Sequence, residues 1–235
     1  MGGPVDMHTV GKSPRGSKGV RIGVLLSVFL LFGMGVCGCV TSKALYLPGD
    51  PARPAAQVLP RPEGGPAVAV LDFSWEGSPS FEIGRDYDQV RPIVWKGNPG
   101  RNLADLIAAV LAEKGVPAIR AKGESDVPAG VPAKVWGSVE EFRVNVKRIG
   151  TFKVEAESVI SLRIYGSGGA APPGWNSAVG STYSFADPLF ITPEGTLQAV
   201  DGAANSVAEE GVRRLAESGV VVLPVSKEPG ETERK

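Results

Sequence analysis

The chain has 235 residues, and 25 Lys and Arg balance 25 Asp and Glu. A net charge of zero argues against the basic excess of a nucleic-acid-binding protein and against a strongly acidic one. The balance is uneven along the chain: residues 1–38 hold four bases, one acid, all three methionines, the only histidine and Cys37, which leaves 21 bases against 24 acids, no His, no Met and one Cys in residues 39–235.

A basic stretch ending at Arg21 leads into residues 22–36, IGVLLSVFLLFGMGV, an apolar run of 15. This is the order of the n-region and h-region of a secretory signal peptide. A membrane span needs about 20 apolar residues. Counted on to Val40, this run reaches 19, with Gly33, Gly35 and Gly38 weakening any helix. Val36-Cys37-Gly38-Cys39 resembles a bacterial lipobox, with an aliphatic residue three before Cys39 and a small one just before it. Cys37 fits that pattern worse, because bulky Val36 precedes it. The resemblance implies that Cys39 becomes the diacylated, then N-acylated, first residue of the mature protein. Several acyl chains at ~0.8 kcal/mol per buried CH₂ hold a protein on a bilayer effectively permanently. Val40, where inner-membrane lipoproteins of enterobacteria carry Asp, implies the outer membrane with the domain facing the periplasm.

The expected organisation is a lipoprotein signal peptide over residues 1–38, a lipidated N-terminus and Pro-rich tether over 39–66, one globular domain over 67–224 and a disordered charged tail over 225–235. The segment from 40 to 66 has six prolines and no hydrophobic periodicity, so it lacks the apolar surface to offset its ordering entropy. In polyproline form its 27 residues reach roughly 80 Å; the other reading packs it along the domain surface.

The globular part opens with Ala67-Val68-Ala69-Val70-Leu71-Asp72-Phe73, apolar on both faces up to Asp72, as in a strand covered on both sides. After a loop containing Gly77, Pro79 and Gly84, Arg91-Pro92-Ile93-Val94-Trp95 reads as a short extended piece. Leu103, Leu106, Ile107, Val110 and Leu111 then recur at helical spacing. Asn98 as N-cap, Pro99 at the first position and Gly115 past the end bound this helix.

A hairpin comes next. Phe142, Val144 and Val146 alternate with Arg143, Asn145 and Lys147, while Phe152, Val154 and Ala156 alternate with Lys153, Glu155 and Glu157. A loop of Arg148, Ile149 and Gly150, with Gly150 left-handed, sets Val144 against Val154 and Arg143 against Glu155. The second strand continues through Ile160, Leu162 and Ile164 to a Gly- and Pro-rich turn over 166–174. Residues 175–185 form another antiparallel strand. A helix from Pro193 buries Leu197, Val200, Ala204, Val207, Gly211, Val212 and Leu215 and stops at Gly219, and residues 220–223 make a last short strand. The order β-α-β-β-β-β-α-β predicts an α+β fold, a mostly antiparallel sheet with two main helices.

The opening VAVLDFSWEG, the helix ending Lys114-Gly115-Val116, and Val135-Trp136-Gly137-Ser138-Val139-Glu140-Glu141-Phe142 leading into a long amphipathic hairpin resemble small periplasmic lipoproteins of the YajG type. More distantly, they are similar to the auxiliary lipoproteins of lipid-related ABC transporters. The resemblance covers most of residues 67–222. It implies an accessory domain held in the envelope by its lipid, and it carries no catalytic signature.

With no His and no Cys beyond Cys39, the mature chain has no Ser-His-Asp or Cys-His machinery, no Cys/His zinc site and no disulfide. Carboxylate pairs remain chemically sufficient for glycoside hydrolysis. Glu140/Glu141 and Glu155/Glu157 are nearest in sequence, but the hairpin register makes them salt-bridged positions on a solvated face. Asp72 is either a partly buried acid or a loop cap, and residues 97–101, at a helix N-terminus, lack the spacing of a phosphate loop. Of Trp75, Trp95, Trp136 and Trp175, Trp95 and Trp175 sit beside Gly/Pro turns and become partner contacts if both are exposed on one surface. The expectation is a non-enzymatic binding or scaffolding module, anchored to the membrane through Cys39, with an envelope protein as partner, no metal, no cofactor and no nucleic acid. The alternative is a lipid- or small-ligand-binding subunit of an envelope transport system.

Overall fold

The computed structural model describes residues 44–49, 68–86, 91–188 and 191–224. The alternation in the hairpin residues builds its longest elements, β7 (Ala133–Ile149) and β8 (Lys153–Ser167), which pair antiparallel, and β8 pairs antiparallel in turn with β9 (Asn176–Pro188). Val154, Ala156, Ile160, Leu162 and Ile164 alternate inward on β8 and are buried. Fully burying one of these Val, Leu or Ile side chains is worth about 1.5–3 kcal/mol.

The other edge of β7 carries three short strands in succession, all parallel to it. These are β2 (Val68–Leu71), β3 (Ser74–Trp75) and β4 (Glu82–Arg85), which meet Ala133, Ser138 and Val144 respectively. Beyond them, β6 (Ala118–Ala121) pairs parallel with β2, β5 (Pro92–Trp95) antiparallel with β4, and β1 (Leu45–Leu47) parallel with β5. The fold is α+β, and among the described residues nine strands form a mixed sheet whose longest pairings are antiparallel.

Helix α1 (Pro99–Glu113) starts where Asn98 Oδ1 accepts a hydrogen bond from the Arg101 N–H at 3.2 Å, and it supplies the crossover between strands that a parallel β2–β6 pair requires. Helix α2 (Pro193–Glu217) is capped by Thr192, whose Oγ1 accepts from the Gly195 N–H at 3.0 Å, and Gly219 follows its end at φ +77°. Both helices lie on the inner face. α1 packs on β2, β6, β7 and α2, and α2 packs on β8 and β9 and approaches β1.

Four expectations are corrected. The hairpin tip is Gly150, Thr151 and Phe152, with Ile149 opposite Lys153, so Val144 faces Ser158 rather than Val154 and Arg143 faces Val159 rather than Glu155. Gly150 does take the left-handed conformation, at φ +67°, but as the first residue of the loop. The slip is an even number of residues, so every side chain keeps its face. Residues 220–223 are not a strand: Val220 and Val221 are buried against the core and Val222 is 72% exposed. β6, a further strand, follows α1. Within the segment expected to be a tether, residues 45–47 form β1, with Leu45 and Leu47 buried and the Lys96 N–H donating to the Leu47 carbonyl at 3.0 Å. A strand of three residues is held here by its two inward leucines. The signal peptide, Cys39 and the tail lie outside the described residues.

Close approach of α2 to β9 depends on Gly202. A Cβ there would lie 2.4 Å from Cγ of Tyr183, at the root of a ring that cannot swing away freely. Gly202→Ala is therefore expected to destabilise the domain by about 1–2 kcal/mol in urea unfolding. In a Tyr183→Ala background the same change should stabilise by up to about 1 kcal/mol, because only the helix-propensity gain remains.

Candidate functional site

The sheet face opposite the helices carries a cleft at the end of β2, and a packing requirement shapes it. Phe73 turns into the core against Gly137, where a Cβ would lie 3.0 Å from the ring, and the preceding Asp72 is left at the cleft. Arg120 on β6 then ties three elements together. Its Nη2 lies 2.5 Å from Asp72 Oδ1, its Nε lies 2.6 Å from Asp105 Oδ1 on α1, and Nη1 donates to the Val70 carbonyl of β2. Asp72 is thus the partner of a cross-element ion pair, not a loop cap.

Across the cleft, Lys134 Nζ meets Glu124 Oε1 at 2.6 Å. Beside Lys134, Trp136 stacks on its cross-strand partner Tyr165, with centroids 5.9 Å apart and planes 10° from parallel, and Trp136 stays 37% exposed. The space enclosed by Asp72, Lys122, Glu124, Lys134, Trp136 and Ser167 is about 390 Å³, within the range of small-ligand clefts. An apolar plane flanked by charges of both signs recognises by stacking and hydrogen bonding. The hydrogen bond and charge of Lys134 hold the Glu124 carboxyl below its ordinary value.

The other acids raised by the sequence are occupied as well. Glu140 meets Arg163 at 2.7 Å and Glu141 pairs with Arg143. Glu157 and Glu155 share Lys147 at 2.9 and 3.3 Å, and their hydrogen bonds, Glu157 first, raise the lysine above its ordinary range. The salt-bridged face was legible in the sequence, but its partners follow the corrected register.

Trp95 is not a surface contact. It is 2% exposed, meets Phe142 edge-on at 5.4 Å, and donates from Nε1 to Asn102 Oδ1 at 3.2 Å. Trp175 is half-buried against the core. The two therefore do not share an exposed surface, and the aromatic surface belongs to Trp136 and Tyr165. Alternation about Val135 and about Ile164 sets each of those two outward, but only the register makes them neighbours. At residues 97–101, the Asn98 side chain itself takes the Arg101 N–H.

No protein-family model matches the chain, and no curated protein matches it. Solved structures similar to it include a Xanthomonas campestris protein of the DUF330 family, at 14% identity over 74% of this chain and 92% of that one, with a TM-score of 0.42. PelC of Paraburkholderia phytofirmans, crystallised as a dodecamer, is 16% identical over 62% of this chain and 85% of its own, at 0.36. A lipoprotein of Neisseria meningitidis is 14% identical over 65% and 99%, at 0.28. At scores of this size the likeness carries no functional information.

Arg120→Leu leaves two partly buried carboxylates without their base and is expected to cost about 1–3 kcal/mol. Arg143→Ala, on the open face, should cost under about 0.5 kcal/mol in the same urea titration. Because the Glu124 pKa is depressed on folding, what its pair contributes is present above the ordinary carboxylate value of 4.5 and is lost as pH falls through the lower folded value. An NMR titration should place the Glu124 carboxyl below 4.5 and find it returned toward 4.5 in Lys134→Met.

Proposed function

We propose that the chain is a lipid-anchored envelope lipoprotein of the YajG kind, attached to the outer membrane through Cys39 and facing the periplasm, whose domain binds another envelope component without catalysing a reaction. The observation that carries the binding role is Trp136, exposed at the cleft and stacked on the half-buried Tyr165. Large aromatic groups held rigid by a sheet give contact area at low entropic cost, and such groups dominate the energetics of protein contacts. The lipobox-like Val36-Cys37-Gly38-Cys39 after a basic and then apolar leader supports the anchor. A ligand-carrying transport subunit would need an apolar volume between sheet and helices. Instead Ile160, Leu162 and Ile164 of β8 share one buried cluster with Val200, Val207 and Leu215 of α2, so that reading stands second.

Two measurements test the proposal. Cys39→Ser should accumulate as unprocessed precursor without acyl mass, and a processed, acylated product would overturn the anchor. Photo-crosslinking in intact cells from p-benzoylphenylalanine in place of Trp136 should give a discrete product larger than the monomer. Recovery of the monomer alone would overturn the binding surface.

A further inference from the structure

The position of β1 fixes how far the domain can stand from its lipid. If residues 40–66 were all tether, the anchor would allow roughly 80 Å of freedom. β1, however, is part of the sheet. It pairs with β5 through Leu45↔Ile93, Tyr46↔Val94 and Leu47↔Trp95, and its two leucines are buried. Only the residues from Cys39 to Leu45 then separate the acylated cysteine from folded structure, a fully extended reach of about 20 Å. The Pro-rich stretch after β1 leaves the sheet at one strand and rejoins it at another, β2, so it adds nothing to that reach.

The residues at this edge suit a lipid surface. β1 ends the strand path, and its central residue, Tyr46, is 57% exposed on the face away from its leucines. Lys96, exposed at the end of β5, holds its Nζ 5.5 Å from the centre of the Tyr46 ring. A tyrosine with an apolar ring and polar tip, joined to a lysine, is the pairing favoured at the boundary between acyl chains and phosphate headgroups. The nearest acid in register on that face, Glu82 opposite Val94, is held by Arg85 at 3.1 Å.

Resting on the lipoprotein reading, we infer that β1 is a membrane-docking strand: it ties the domain within about 20 Å of the bilayer and sets Tyr46 and Lys96 on the lipid headgroups. The occupant of this edge is the lipid surface, and because β1 precedes the Pro-rich stretch in the chain, that stretch does not lengthen the connection to Cys39.

The test uses the full-length lipidated protein in vesicles of phosphatidylethanolamine and phosphatidylglycerol, with p-benzoylphenylalanine in place of Tyr46 or of Gln198, which is exposed on α2. Irradiation should give a lipid-mass adduct at position 46 and none at 198. A flexible Gly/Ser insertion of about 20 residues after Val40 should lower the adduct at 46 about fivefold or more, while the same insertion after Ala56 should leave it unchanged. An adduct that survives insertion after Val40, that falls equally with both insertions, or that is absent from the uninserted protein overturns the inference. Mass analysis of the Cys39 peptide separates this from failure of the anchor itself: acylated Cys39 without an adduct refutes only the docking, and unacylated Cys39 refutes both.

Discussion

β7 is paired along both edges at once, with β8 on one side and with β2, β3 and β4 in succession on the other. Each of those three partners is only two to four residues long, too short to persist as a strand by its own propensity. They exist because β7 offers a continuous template. The strands farther out depend on them in turn, β6 through β2, and β5 and β1 through β4. The 17 residues of β7 thereby carry both the buried core and the position of the β1 edge.

A single irregularity lets one strand serve both ends. Register shifts between Val139 and Glu141, so Glu140 is an extra residue without a cross-strand partner. Before it, Ala133, Val135 and Val139 point inward; after it, Phe142, Val144 and Val146 do. Without the bulge, the period of two would turn one half of the strand's apolar residues to solvent. Charges on the outer face are ordered by the same geometry, since Glu140 reaches Arg163 and Glu141 reaches Arg143. Such exposed pairs contribute about 0–1 kcal/mol each. Their larger consequence is chemical, because a carboxylate held by a base is ill suited to deliver a proton. At the cleft the Trp136–Tyr165 stack lies beside the fixed charges of Lys134 and Glu124.

Composition and spacing were enough for the two helices and the amphipathic hairpin, because these follow from local periodicity and from residues such as Asn98, Pro99 and Gly219 acting on their own backbone; the Thr192 cap of α2 emerged only in the structure. The face of each hairpin residue was legible for the same reason. Its partner was not. Two loops three residues long, one ending and one beginning at Gly150, satisfy the same alternation, and which forms depends on contacts such as Lys147 between Glu155 and Glu157. β6 and β1 are not legible because Ala118-Ile119-Arg120-Ala121 and Leu45-Tyr46-Leu47 are too short for a period to show.

By itself the sequence determined that the chain after residue 38 lacks His and a second Cys, that a lipobox-like cysteine follows an apolar leader, and that an α+β domain comes after it. These are statements about residue types and local order, which need no partner in space. Tertiary structure alone decided that Arg120 joins Asp72 to Asp105, that Trp136 meets Tyr165, that Trp95 is core, and that Leu45 and Leu47 turn part of a supposed tether into a strand. Each of these joins residues that lie from seven to tens of positions apart along the chain. Which of them meet is set by long-range strand register, a property no local window of sequence contains.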